Sequence, residues 1–134
     1  MLIYTHQSCI EHEVPPGHPE RPDRLVHLLK HLEDTGVTND FPLISAPKIS
    51  SAQVDIAHDL HYFSSLEAKS PHEGLEALDP DTWMSSHSLA AAEHAAGAVW
   101  QGVNDVISGR DSRVFCAVRP PGHHAEISSP MGFC

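Results

Sequence analysis

Apolar residues fall in short unbroken runs near both ends of the chain and at helical intervals between them. MLIYT, residues 1–5, is β-branched and aromatic and gives way to polar residues, which predicts a short buried strand. The following stretch, HQSCIEHEVPPGHPERP, holds Pro15, Pro16, Pro19 and Pro22 and predicts a long loop, because proline removes a helical N–H donor and crowds the preceding turn. From Asp23 the period changes. Leu25, Leu28, Leu29 and Leu32 form one stripe of a helix that Gly36 stops. FPLISA, 41–46, is a second strand candidate. Ser50 or Ser51 caps a short helix to about Ala57, and HDLHYFSSLEA continues as a second helical stretch.

Residues 70–83, SPHEGLEALDPDTW, read as a turn-rich acidic loop. The strongest helical pattern follows, over roughly 86–108, ending at Gly109. Its alanines at 90, 91, 92, 95, 96 and 98 would let it pack closely against a sheet or another helix. RVFCAV, 113–118, is an apolar strand of the kind buried in a parallel sheet. Strand and helix alternate, so the fold class is α/β with right-handed crossovers. Ligands in such sheets collect beyond the carboxyl ends of the strands. The loops after MLIYT and after RVFCAV bring His6, His12, His18, His123 and His124 to that end.

Composition narrows the function classes. A formal net charge of −10 disfavours nucleic-acid binding, which needs a basic face; it suits solubility or the steering of a cationic substrate. No apolar run approaches membrane-spanning length and the N-terminus has no secretory pattern, so no membrane association and a cytoplasmic location are expected. Cys9, Cys116 and Cys134 are odd in number and lack metal-type spacing, so free thiols are expected. Most of the twelve histidines, among them His27, His31, His72 and His94, have no partner at ligand spacing and read as surface or structural. His58 reads the same way, whereas His12 and His18, in the proline-rich loop, are candidates for shaping a pocket mouth.

RPPGHHA, residues 119–125, is the most specific segment. Two prolines stiffen the backbone after a buried strand, Gly122 permits close approach, and two imidazoles follow. Imidazole titrates near neutrality, so one His can accept a proton from water while its neighbour donates one to a leaving group. The competing reading of the pair is an exposed structural loop, or one metal ligand beside a bystander.

RPPGHHAEISSPMGFC resembles the tandem-histidine segment of the histone deacetylase superfamily, nearest its class II members and the bacterial acetylpolyamine amidohydrolases. GHPERPDRL at 17–25, AHDLHYFSSL at 57–66 and LDPDTWMSSHSLAAAEHAAGA at 78–98 match in the same order. The resemblance implies a partial arginase/deacetylase-type parallel sheet with flanking helices, a three-layer α/β/α fold, as a single N-terminal portion of that domain over residues 1–134. It implies His123 and His124 as catalytic histidines and Gly132 and Phe133 as the substrate channel. It implies Arg24 beside an internal acetate cavity, and Asp79 as the rim residue that accepts hydrogen bonds from substrate, with Asp81 as the alternative in register.

The family's zinc is held by an Asp-x-His pair and a later Asp, and no such ligands follow residue 124. The expectation is therefore the N-terminal fragment of a zinc-dependent hydrolase acting on acetyl-lysine or acetylpolyamine amides, holding no metal and inactive alone. The alternative is a non-catalytic deacetylase-like binding or oligomerisation module. In either case the thin sheet invites a homodimer over its exposed edge.

Overall fold

The computed structural model describes residues 1–134. In chain order the elements are β1 (Leu2–Thr5), α1 (Ser8–Glu11), α2 (Pro22–Asp34), α3 (Val37–Asp40), β2 (Leu43–Ser45) and α4 (Ser51–Val54). They are followed by α5 (Tyr62–Lys69), β3 (Glu76–Ala77), β4 (Trp83–Met84), α6 (Ser88–Ile107) and β5 (Val114–Cys116). The main sheet has the order β2-β1-β5 and is parallel throughout, with Ile3 opposite Leu43 on one side and Phe115 on the other.

Alternation along β1 produces the layers. Ile3 points to one face, where it meets Cys9, Leu25 and Ala117 and the α2 stripe of Leu28, Leu29 and Leu32. Tyr4 points to the other, against Ala46 and Ala98, with Leu2, Ile44, Val114 and Cys116 around them. The sheet is thus sandwiched between α2 and α6, the α/β/α arrangement that the family resemblance implies. The Tyr4 hydroxyl donates to Asp105 Oδ2 at 2.6 Å, and Arg110 Nη1 reaches the same oxygen at 3.2 Å, so the buried carboxylate near the end of α6 is fully engaged.

Alanines 91, 95 and 98 are buried as close packing requires, but Ala92 and Ala96 face outward. Two glycines set the approach distance instead. A Cβ on Gly97 would lie 2.0 Å from the Pro47 carbonyl oxygen, and one on Gly102 would lie 2.8 Å from Val114 Cγ1.

Several boundaries differ from the sequence reading, each for a local reason. α2 begins at Pro22, since proline at the first helical position gives up an N–H that has no intrahelical partner anyway. α1 forms inside the expected loop because its four residues precede the first proline. α3 restarts after Gly36, and β3 pairs with β4 over two residues each, too short to leave a periodic signature. No helix is long and apolar enough to cross a membrane.

Candidate active site

The loop leaving β5 is held at its base by Arg119, which is 3% exposed. β5 is an edge strand with Phe115 exposed, not the fully buried strand its apolar run predicts. Yet the chain is buried again at Arg119, and a buried charge must find partners; Arg119 finds several. Its Nε and Nη2 donate to the two carboxylate oxygens of Glu20 at 2.8 Å, and its Nη1 donates to the carbonyls of Cys9 at 2.7 Å and His12 at 2.6 Å. His12 Nε2 lies 3.4 Å from Glu20 Oε2, and its Nδ1 is 2.6 Å from Ser88 Oγ. Burial works to raise the Glu20 pKa, yet the hydrogen bonds from His12 and Arg119 and the Arg119 charge hold it down at about 2. His12 is therefore buried, lining a small cavity with Thr82 and Phe133 instead of standing at an exposed mouth.

Beyond this anchor, His123 and His124 are exposed, with ring centroids 4.3 Å apart and planes at 72°. Two neighbouring imidazoles facing in different directions can address two atoms of one reacting group. The backbone of Gly132 runs against the second ring: at φ +61°, a Cβ there would stand 2.8 Å from His124 Cβ and 2.9 Å from its Cγ. Cys134 adds a second contact, its Sγ accepting the His124 N–H at 3.3 Å.

Phe133 has φ +70°, a left-handed conformation that costs a bulky residue energy and persists only where its surroundings hold it. Its N–H donates to Thr82 Oγ1 at 3.1 Å, and its ring meets His18 edge-on at 4.7 Å. His18 Nε2 in turn lies 3.1 Å from the Asp81 carbonyl oxygen. The 79–82 turn, His18 and Phe133 therefore form one rim. Asp79 sits in that turn and accepts the Asp81 N–H at 2.8 Å; desolvation opposes its ionisation, but the Asp81 and Thr82 hydrogen bonds prevail and keep its carboxyl below the usual range.

Arg24 lies elsewhere. It is exposed on the first turn of α2, takes part in none of the ion pairs, and lines a cavity of about 260 Å³ with Glu20, Leu28, Phe115 and Arg119. The structure thus joins His123, His124, Gly132 and Phe133 in one segment, brings Asp79 to its rim through Thr82, and leaves Arg24 on the α2 face of the sheet.

Sequence reasoning missed Arg119, Glu20 and Thr82. The available signal was an arginine directly after an apolar strand, where a charge demands a partner. His58 is structural, as read: its Nδ1 is 3.0 Å from the Glu126 carbonyl oxygen, fastening the far end of the histidine loop. His94 stacks on His6 with centroids 3.4 Å apart and bonds the Ala46 carbonyl, a structural role as read. The three cysteines are unpaired, and burial pushes the Cys9 and Cys116 thiols up, away from thiolate chemistry.

No group of three or more His, Cys, Asp or Glu side chains is arranged to hold a metal ion. The pair's near neighbours, the Cys134 thiol and the Gly132 backbone, are engaged with His124 itself. These residues do not by themselves fit a zinc site.

The histone deacetylase domain family matches residues 18–134. The chain belongs to the histone deacetylase domain family. Human histone deacetylase 9 is 34% identical over 158 residues, which covers 99% of this chain and 15% of that protein. Arabidopsis thaliana histone deacetylase 15 is 35% identical over 118 residues, 87% of this chain and 21% of its own length. A probable deacetylase of Archaeoglobus fulgidus is 29% identical, covering 98% of this chain and 37% of the relative. Among solved structures, the crystal structure of the HDA15 HD domain superposes with a TM-score of 0.91 at 31% identity, over 99% of this chain and 38% of that one. This histone deacetylase segment therefore spans well under half of each of these relatives.

Gly132→Ala is expected to push the His124 ring out of place, because both the positive φ and the 2.8 Å approach exclude a methyl group. The His124 imidazole resonances should shift while the amide spectrum of the α2 and α6 residues stays put. Unchanged His124 resonances would show that the ring does not depend on this contact.

Proposed function

We propose that this chain carries the proton-transfer pair and one channel wall of a deacetylase domain that hydrolyses acetyl-lysine or acetylpolyamine amides. The observation that carries the reading is the exposed, edge-on His123–His124 pair at the carboxyl end of β5, with Gly132 packed against one ring and Phe133 fixed beside it. Amide hydrolysis adds water to the acetyl carbonyl, breaks the C–N bond and releases acetate and an amine. One histidine accepts the proton of the attacking water and the other delivers a proton to the departing nitrogen. Phe133 offers an aromatic face to the methylenes of the acylated chain, and Gly132 leaves room for them. An ionised Asp79 at the rim suits acceptance of substrate N–H groups, and the unpaired Arg24 guanidinium suits attraction of the acetate product into the cavity that it lines. Zinc, in this reading, belongs to the longer domain, since this chain offers no ligand set for it.

The test compares release of acetate from an acetyl-lysine peptide and from an acetylpolyamine by this chain and by a version extended to the length of its relatives. Turnover by the long form only, falling by about 100-fold or more on His123→Ala or His124→Ala, is the expected result. Equal turnover by the short chain would overturn the view that residues beyond it are needed. No turnover by either would remove the deacetylase reading.

A further inference from the structure

The histidine loop is nearly free of internal support. Residues 120–125 make one hydrogen bond, from the His124 N–H to Cys134 Sγ at 3.3 Å. Apart from the packing of Gly132 against the His124 ring, its geometry therefore comes from its ends. The far end is tied down by His58 Nδ1 at the Glu126 carbonyl and by the Asp59 N–H donating to the Ile127 carbonyl at 2.9 Å. The near end is Arg119, followed by two prolines whose rings fix φ. The direction in which the chain leaves Arg119 is thus carried through Pro120 and Pro121 to Gly122, the first residue with ordinary freedom.

From this geometry we infer that Arg119 is a positioning residue for the His123–His124 pair, clamped for that purpose by the buried Glu20 carboxylate and the carbonyls of Cys9 and His12. Four of its contacts are 2.8 Å or shorter, and they come from three points on the segment between β1 and α2. Such a planar fork is held in orientation as well as in place, which a point charge would not be. Hydrophobic packing alone does not provide this: Ala117 and Val118 fix the height of the strand end in the core, not the rotation of the chain leaving it. The loop after β1 and the loop after β5 are thereby a single unit, although Glu20 and Arg119 are 99 residues apart in sequence. The effect on turnover rests on the deacetylase reading; the positioning itself does not.

The experiment uses the whole 134-residue chain labelled with nitrogen-15. It compares wild type, Arg119→Lys, which keeps the charge and loses the fork, and Glu20→Gln, which keeps the shape and loses the counter-charge. The readouts are the long-range imidazole correlations of each histidine and the cross-relaxation between the His123 and His124 rings. Exposed His27 and His31 on α2 serve as internal controls. The expected result is a dispersed amide spectrum in at least one variant, loss of the His123–His124 cross-peak there, and unchanged His27 and His31 signals. In an extended, active domain the same variant lowers kcat by about 100-fold at unchanged KM, since a misplacement of about 1 Å costs that much. A folded variant whose His123 and His124 signals match wild type, with only its melting temperature lowered, overturns the inference. So does failure of both variants to fold, because the anchor then serves the fold as a whole. Absence of deacetylation by the extended wild-type domain would remove the proposed function and leave the imidazole result standing.

Discussion

Arg119→Met is expected to cost about 3–5 kcal/mol of stability at neutral pH and to weaken the local response to acid. The loss comes less from the missing attraction than from what stays behind, the Glu20 carboxylate at 2% exposure with its closest remaining cation candidate, His12 Nε2, at 3.4 Å. In the wild type the folded-state pKa of Glu20 is about 2, against an ordinary value of 4.5. A carboxyl with a depressed pKa stabilises the fold fully above its unfolded value, and that contribution disappears as the pH falls through its folded value. The window is therefore pH 4.5 down to about 2, and the amount is roughly 3 kcal/mol. In the variant, burial, the largest influence on this group, is opposed by His12 alone, so the carboxyl rises from its wild-type value and acid costs the variant less than it costs the wild type. Urea midpoints at pH 7, 4.5 and 3 check this. The gap between wild type and variant should shrink steadily as the pH falls, and two curves that descend in parallel would show that Glu20 is not the group responsible.

Gly97→Ala should be nearly as damaging, for a steric reason. The added methyl would stand 2.0 Å from the Pro47 oxygen and 2.9 Å from Lys48 C and Ile49 N, all of them backbone atoms that cannot rotate away. α6 would have to back off from residues 46–49, and two bonds would stretch with it: Ile49 N–H to the Glu93 carbonyl at 3.0 Å and His94 Nδ1 to the Ala46 carbonyl at 2.7 Å. Overpacking of this kind costs about 3 kcal/mol or more, against the roughly 1 kcal/mol that alanine gains over glycine inside a helix. A net loss of about 2 kcal/mol or more follows, a large share of the stability of a small domain. Gly109→Ala is the control, with nothing within 4 Å of its Cβ, and its penalty is limited to its positive φ. Equal urea midpoints for Gly97→Ala and wild type would mean that the helix can move away at no cost.

What could be read from the sequence was what announces itself by period or by motif. MLIYT, RVFCAV and the helix over 88–107 are long enough, or apolar enough, for one residue type to follow another at a fixed interval. The histidine pair and Gly132-Phe133 were legible because they lie within one run of sequence. Partners far apart in the chain were not. Nothing in HPER says that Glu20 binds Arg119, and nothing in DPDTW says that the Thr82 hydroxyl receives the Phe133 N–H, because those bonds exist only once β1 and β5 lie side by side. His12 was misplaced for the same reason. A histidine in a proline-rich loop looks exposed until α6 supplies Ser88 to bury it.

β1 takes both of its partners from later in the chain, Leu43 opposite Ile3 on one edge and Val114 opposite Leu2 on the other. This has a kinetic consequence. On a ribosome β1 emerges before either partner, can pair with β2 early, and then must wait until residue 116 is made before its second edge is satisfied. Contacts that close such long loops form slowly, because the entropy of closure is lost before any bond rewards it. Until then Ile3 and Tyr4, buried in the finished sheet, have only half of their cover, and the Glu20 carboxylate has no guanidinium to meet. From the synthesis of β2 to that of β5 the strand between them is therefore open on one side. That interval is the period of greatest exposure to aggregation and to chaperones.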